Sequence, residues 1–308
     1  MECILLGTGG MMPMPERLLT SLAVRLNGRI YLFDAGEGTQ LAWKRLRLGM
    51  RGLNVICLSH LHADHCLGIP GLMMLRAQMP DPSPLTLIGP PGIRRFVAML
   101  MEILEFHINY PVSFVEWPEE TNGFAYQDDH VRIAWRPLRH TRFCLGYRLE
   151  ELERPGRFDP HRAQALGIPR GPLWKALQSG KSLMTEDGRQ VRPQEVAGPP
   201  RRGRAIAYIV DTCPTPAIQD LCGGTDMTFI EGMFLSRHGD LASARGHMTV
   251  AEAVEAAAAG DAGRIVLLHV SPRYSDEDLP LLEKEGTDLN RETVLGRDLD
   301  VYSIQLRD

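Results

Sequence analysis

The chain has 308 residues, of which 44% are hydrophobic and 23% charged, with a formal net charge of −4. These are ordinary proportions for a globular chain, and no apolar run approaches the roughly 20 residues of a membrane helix. Six scattered cysteines without a CxxC pair fit reduced thiols in a cytoplasmic protein rather than a disulfide framework, and the net charge does not by itself suggest nucleic acid.

In chain order, Cys3–Leu6 reads as a strand, with no basic flank and no signal-peptide core. Gly7-Thr8-Gly9-Gly10 is a turn that lacks the third glycine of a dinucleotide-binding loop. Ser21–Leu26 and Arg29–Phe33 form a hairpin about Asn27-Gly28. Helices are expected over 40–48, 71–79, 92–104 and 249–259, the last with Thr249 and Glu252 as a capping box. Strands are expected over 53–58, 85–88, 112–117, 131–138, 204–210, 226–231 and 264–268. Alternating short strands and helices give an α/β chain.

Three histidines and an aspartate fall within His60-Leu61-His62-Ala63-Asp64-His65. They follow the apolar run Leu53–Leu58 and precede a Gly-Ile-Pro-Gly turn over 68–71. The end of a strand is where an open α/β sheet places its active site. His60 and His62 point the same way on an extended strand end, while Asp64 and His65 face a second point. Two divalent ions such as Zn²⁺ suit this mixture of imidazole and carboxylate better than one. Further strand ends deliver His140, Asp211 and His269.

This HxHxDH pattern and its order resemble the metallo-β-lactamase superfamily, which implies an αββα sandwich. On that resemblance His60, His62 and His140 hold one ion; Asp64, His65 and His269 hold the other; and Asp211 bridges them. Two zinc ions per chain are implied, with Mn²⁺ as the alternative. Two such metals stabilise the attacking and leaving oxygens of a phosphoryl displacement and lower the pKa of a shared water.

Composition shifts over 152–203. There 14 of 52 residues are Gly or Pro, and ten Arg/Lys stand against five Asp/Glu, a net of +5 that leaves −9 for the remainder. A basic Gly/Pro-rich insert in an acidic body reads as a protruding arm with an anionic partner.

With the insert, the chain resembles the ribonuclease Z family of tRNA 3′-processing endonucleases over nearly its whole length. The resemblance rests on Asp34-Ala35-Gly36-Glu37-Gly38-Thr39-Gln40, Ser59 to Gly71, Pro137 to Thr141, Gly146 to Glu151, Gly246-His247-Met248-Thr249 and His269 to Tyr274. It departs from the family pattern at Pro15, Leu18, Val210 and Ile230-Glu231-Gly232-Met233. The family implies one metallo-β-lactamase-fold domain over 1–308, with the arm over 152–203 gripping the tRNA elbow.

The resemblance also implies removal of the 3′ trailer from precursor tRNA, leaving a 3′-hydroxyl on the tRNA and a 5′-phosphate on the trailer. His247 would give the proton to the leaving oxygen and Glu231 would orient it. Asp64 would accept a proton from the attacking water. Arg273, and Arg170 and Lys175 in the insert, would touch RNA. Family members are homodimers, and a cytoplasmic enzyme with no membrane contact follows. Two alternatives stand beside this reading: a dinuclear-metal phosphodiesterase or other small-molecule hydrolase of the same fold, and a non-catalytic RNA-binding paralogue. A small substrate needs no basic insert, which separates the first from the family reading. The intact ligand set argues against the second.

Overall fold

The structure is a computed structural model that describes residues 1–118, 123–185 and 188–306. Residues 186 and 187 of the expected insert lie outside the described residues. The chain divides into two compact units, one comprising Met1–Glu150 with Arg204–Gln305, the other built on Glu151–Gly203.

Among the described residues the first unit holds two seven-stranded sheets. The first runs in the order Val301–Ser303, Glu2–Gly7, Ser21–Leu26, Arg29–Phe33, Leu53–Cys57, Leu85–Gly89, Val112–Glu116. The second runs Thr293–Leu295, Arg264–Leu268, Met227–Glu231, Ala205–Ile209, Cys144–Glu151, Val131–Leu138, Gly123–Gln127.

The period-2 alternation of the strands sorts side chains into three apolar layers. Tyr31, Phe33, Val55 and Cys57 face Trp135, Tyr147, Tyr208 and Phe229 between the sheets. Their neighbours Ile30, Leu32 and Ile56 face outward onto helix residues Trp43, Leu72 and Ile93. On the other side Ile209, Ile230, Ile265 and Leu267 meet Leu221, Val254 and Leu282. The result is the expected αββα sandwich. Trp135 is fully buried between the sheets, so Trp135→Ala would cost about 3–5 kcal/mol.

Local sequence explains the edges. Asn27 and Gly28 both take positive φ, 49° and 79°, as a tight hairpin demands. Thr249 accepts from the Glu252 N–H while the Glu252 carboxylate accepts from Thr249, starting the helix Val250–Ala259. One expectation is corrected here: Ile69-Pro70-Gly71 is the first turn of the helix Ile69–Ala77, not a turn before it. Proline near a helix start forfeits only a donor that has no partner there anyway. The strand Cys144–Glu151 and the helix Leu279–Leu289 are not marked by the apolar pattern.

The second unit has secondary structure of its own. Helices Pro160–Ala165, Pro172–Gln178 and Pro193–Val196 each begin with proline, and Leu183–Met184 pairs with Gln190–Val191. Ala163, Ile168, Leu177, Val191 and Val196 form its small core. Part of the Gly/Pro richness is therefore helix punctuation.

Candidate metal centre

Ala205–Ile209, Met227–Glu231 and Arg264–Leu268 are parallel neighbours, so their C-terminal ends lie along one edge. That edge carries Asp211, Glu231 and His269. Leu53–Cys57 in the other sheet leads into the 59–65 segment, where Ala63–Cys66 forms a short helix. The Leu145 N–H donates to the Ser59 carbonyl (2.9 Å) and the Tyr147 hydroxyl to the Leu58 carbonyl (2.6 Å), tying the two sheets together at this point. Asp34, Asp211 and His269 all adopt left-handed backbone, with φ of 53°, 49° and 60°. Such backbone is uncommon outside glycine and clusters at functional sites.

The ligand atoms of His60, His62, His140 and Asp211 lie within 4.8 Å of one another, as do those of Asp64, His65 and His269. Asp211 stands between these groups. Its Oδ2 is 3.6 Å from His60 Nε2 and 3.5 Å from His140 Nε2, while its Oδ1 is 3.2 Å from His65 Nε2 and 3.1 Å from His269 Nε2. His140 Nε2 is 3.3 Å from His62 Nδ1, and Asp64 Oδ2 is 3.5 Å from His65 Nε2. Ligands about 2.0–2.1 Å from a tetrahedral ion are separated from one another by roughly 3.3 Å. The spacings of the donor set therefore fit coordination of divalent metal.

A second observation agrees with that fit. His65 Nε2, His269 Nε2 and Asp211 Oδ1 are buried and have no hydrogen-bond partner among the described residues. Native proteins rarely leave such atoms unpaired. The opposite ring nitrogens are all engaged. His65 Nδ1 meets Asp34 Oδ2 at 2.7 Å, His269 Nδ1 meets Thr20 Oγ1 at 2.8 Å, and His140 Nδ1 meets the Gly246 carbonyl at 2.8 Å. Protons held on Nδ1 by these partners leave Nε2 lone pairs facing the cluster. Asp34 is itself fixed by the Ser59 N–H and hydroxyl (2.7 Å each) and the Tyr208 hydroxyl (2.8 Å).

Electrostatics point the same way. Burial pushes the His60, His62 and His269 imidazoles below their ordinary range, towards the neutral form that ligates. Burial opposes a charged Asp211, but the imidazoles of His269, His65 and His60 hold its carboxyl well below the usual carboxylate range. His65 is the exception: burial opposes its charged form, but the carboxylates of Asp211 and Asp34 raise it well above normal, so ligation through its Nε2 would have to displace a proton.

His247 lies at the rim of the cluster. Its Nδ1 is 3.2 Å from Glu231 Oε2, and its Nε2 is 4.0 Å from Asp211 Oδ2. Burial works against its charged form, but Glu231 raises its pKa to about 9. Glu231 is fully buried and also accepts from the backbone N–H groups of Thr212 and Met248. Arg273 is exposed, donates its backbone N–H to the Ser271 hydroxyl, and does not line the cluster's cavity. Arg170 and Lys175 are exposed on the second unit and carry no ion pair among the described residues.

The sequence pattern does not single out Asp34, Ser59, Thr20 and Tyr208, which orient the ligands. Asp34 could have been found by the same signal as the others, since it is a carboxylate directly after the apolar strand Arg29–Phe33. Gly10 is a close-approach position: a Cβ there would lie 2.6 Å from His269 Nε2. One side of the cluster opens into a cavity of about 390 Å³, whose wall includes His62, Asp64, His140, Asp211, Arg245 and His247, while His60, His65 and His269 lie buried behind it.

The beta-lactamase superfamily domain matches residues 29–165 and 186–270 of the chain. Ribonuclease Z of Treponema denticola is 41% identical over 298 residues, covering 97% of this chain and 96% of that protein. Ribonuclease BN of Escherichia coli is 35% identical over 308 residues, covering 99% and 100%. Human tRNase Z, short form, superposes with a TM-score of 0.72 at 23% identity over 99% of this chain and 100% of that one.

Proposed function

This chain belongs to the ribonuclease Z family of hydrolytic endoribonucleases within the beta-lactamase superfamily, and from that premise we propose that it removes the 3′ trailer from precursor tRNA. The reading leaves a 3′-hydroxyl on the tRNA and a 5′-phosphate on the trailer. The observation that carries it is the placement of Asp211, with one carboxylate oxygen facing each histidine group.

On this reading His60, His62 and His140 would hold one zinc ion, Asp64, His65 and His269 would hold a second, and Asp211 would serve both. Bound there, such ions would supply polarisation of the scissile phosphate and acidification of a water. The protein's own groups do the rest. Asp34, Thr20 and the Gly246 carbonyl hold the Nδ1 atoms of His65, His269 and His140 and so aim their Nε2 atoms at the cluster. Asp64 takes the proton that the attacking water loses. His247, held protonated by Glu231, donates from Nε2 to the leaving oxygen. The positive charge of Glu151–Gly203, including Arg170 and Lys175, supplies affinity for RNA phosphates. A cytoplasmic homodimer completes the proposal. No helix among the described residues is long and apolar enough to cross a membrane.

The test is cleavage of precursor tRNA by zinc-loaded and chelator-treated protein, with both new ends mapped and sedimentation run alongside. A zinc-dependent cut at the 3′ end of the tRNA body is expected. Hydrolysis confined to small phosphodiesters, with precursor tRNA left intact, would overturn the tRNA assignment.

A further inference from the structure

A second cavity, of about 520 Å³, shares His62 with the metal cavity and is used by none of the chemistry above. Leu61, His62, Pro90, Pro91, Arg142 and Phe143 line it. Two of its walls are continuations of ligand segments. Leu61 sits between His60 and His62, and Arg142-Phe143 follows His140 by two residues. Whatever occupies this space therefore lies beside the metal cavity.

Its lining is selective in kind. Pro90, Pro91 and Leu61 are apolar and offer no side-chain donor. Phe143 is half-buried and its ring meets Trp135 edge-on, with centroids 6.4 Å apart at 81°. That contact fixes the ring while leaving it part-exposed. Arg142 is exposed and has no ion pair among the described residues. The volume lies within the range of about 300–1,000 Å³ typical of small-ligand pockets. A flat aromatic group beside an anion fits an aromatic face, apolar walls and one unpaired guanidinium.

We propose that this cavity is a nucleobase subsite. It takes the base of a nucleotide flanking the scissile phosphate, stacked on Phe143, with Arg142 on that nucleotide's phosphate. The inference rests on the ribonuclease reading and adds a determinant of where the cut falls.

The experiment uses full-length, zinc-loaded protein and RNA carrying a base-free ribose on one or the other side of the cleavage site. Removing the base at one of these positions should raise KM roughly 5- to 150-fold, the worth of one base–aromatic stack. Phe143→Leu keeps an apolar side chain and should raise KM on intact RNA by a similar factor, while Phe143→Tyr should recover most of the loss. The base removal and Phe143→Leu should not compound when combined. Bound zinc, measured on each variant, verifies that the neighbouring ligand segment is intact. If RNA is cut but neither base removal changes KM, or the two losses multiply, the subsite is wrong and the nuclease reading stands. If the wild type cuts no RNA, both fall together.

Discussion

In the unit that carries Asp211, the functional side chains lie at strand ends, most of them buried and held from behind by hydrogen bonds to Asp34, Thr20 or a backbone carbonyl. In Glu151–Gly203 the cationic side chains proposed to meet RNA are exposed, Lys175 on a short helix and Arg170 in the bend before it, over a five-residue core. The contrast teaches that geometry and affinity are built by different means. Metal chemistry tolerates errors of tenths of an ångström, so its ligands are over-determined. Phosphate attraction acts through water over roughly 8 Å at physiological salt, so its cations need number more than position. Substitutions in the first unit should change what reacts, and those in the second how strongly RNA is held.

The largest effect should come from Asp211→Ala. Removing the shared carboxylate leaves the two histidine groups without the anion between them. Cleavage of RNA and of bis(p-nitrophenyl) phosphate should both drop to background. Zinc by elemental analysis should fall from about two ions per chain, the number that seven donors can hold. Retention of two ions would break the first half of the comparison.

His247→Ala should keep both ions and lose roughly 10²- to 10⁴-fold in RNA cleavage, the usual worth of a positioned acid. An ester with a nitrophenolate leaving group needs no proton and should recover much of the rate. Zinc loss instead would move His247 into the ligand set, since it also lies beside Asp211 and His269.

Replacing 155–199 with a Gly/Ser linker tests the other half. Zinc content and small-phosphodiester hydrolysis should persist, because no proposed ligand lies there. Each phosphate contact is worth about fivefold at 0.15 M salt relative to 1 M, so losing two or three should weaken precursor tRNA binding by about 25- to 125-fold. The salt slope should flatten by about 0.7–0.9 per lost contact. Unchanged tRNA cleavage and salt slope would remove the insert from recognition.

A smaller change sharpens the first half again. Asp34→Asn keeps the shape behind His65 but weakens its grip on Nδ1. Zinc affinity should fall by about tenfold or somewhat more, readable by competition with a chromogenic chelator.

Residues whose roles follow from local pattern are legible in the sequence. His60, His62, Asp64 and His65 announce themselves by spacing, and His140, Asp211 and His269 by ending apolar runs. The hairpin at Asn27-Gly28 and the capped helix at Thr249 are equally local signals. What stays hidden depends on contacts between distant segments. Asp34 meets Tyr208 across 174 positions of sequence, and Thr20 meets His269 across 249. The strand Cys144–Glu151 escapes notice because Gly146 and Arg148 interrupt its apolar run, although residues on either side are buried between the sheets. Phe143 is likewise legible only as one hydrophobic residue until it is seen to line one cavity with His62.

The two sheets contribute unequally to the cluster, and both are needed. His60, His62, Asp64 and His65 follow a strand of one sheet, whereas His140, Asp211 and His269 follow strands of the other. An ion coordinated by both sets is a rivet through the sandwich, so the folding equilibrium becomes a function of metal activity. Free zinc at 100 times its dissociation constant would add about 2.7 kcal/mol per site to the folded state. The melting temperature should then climb with the logarithm of free zinc, making the enzyme's persistence as well as its turnover a readout of the metal available to it.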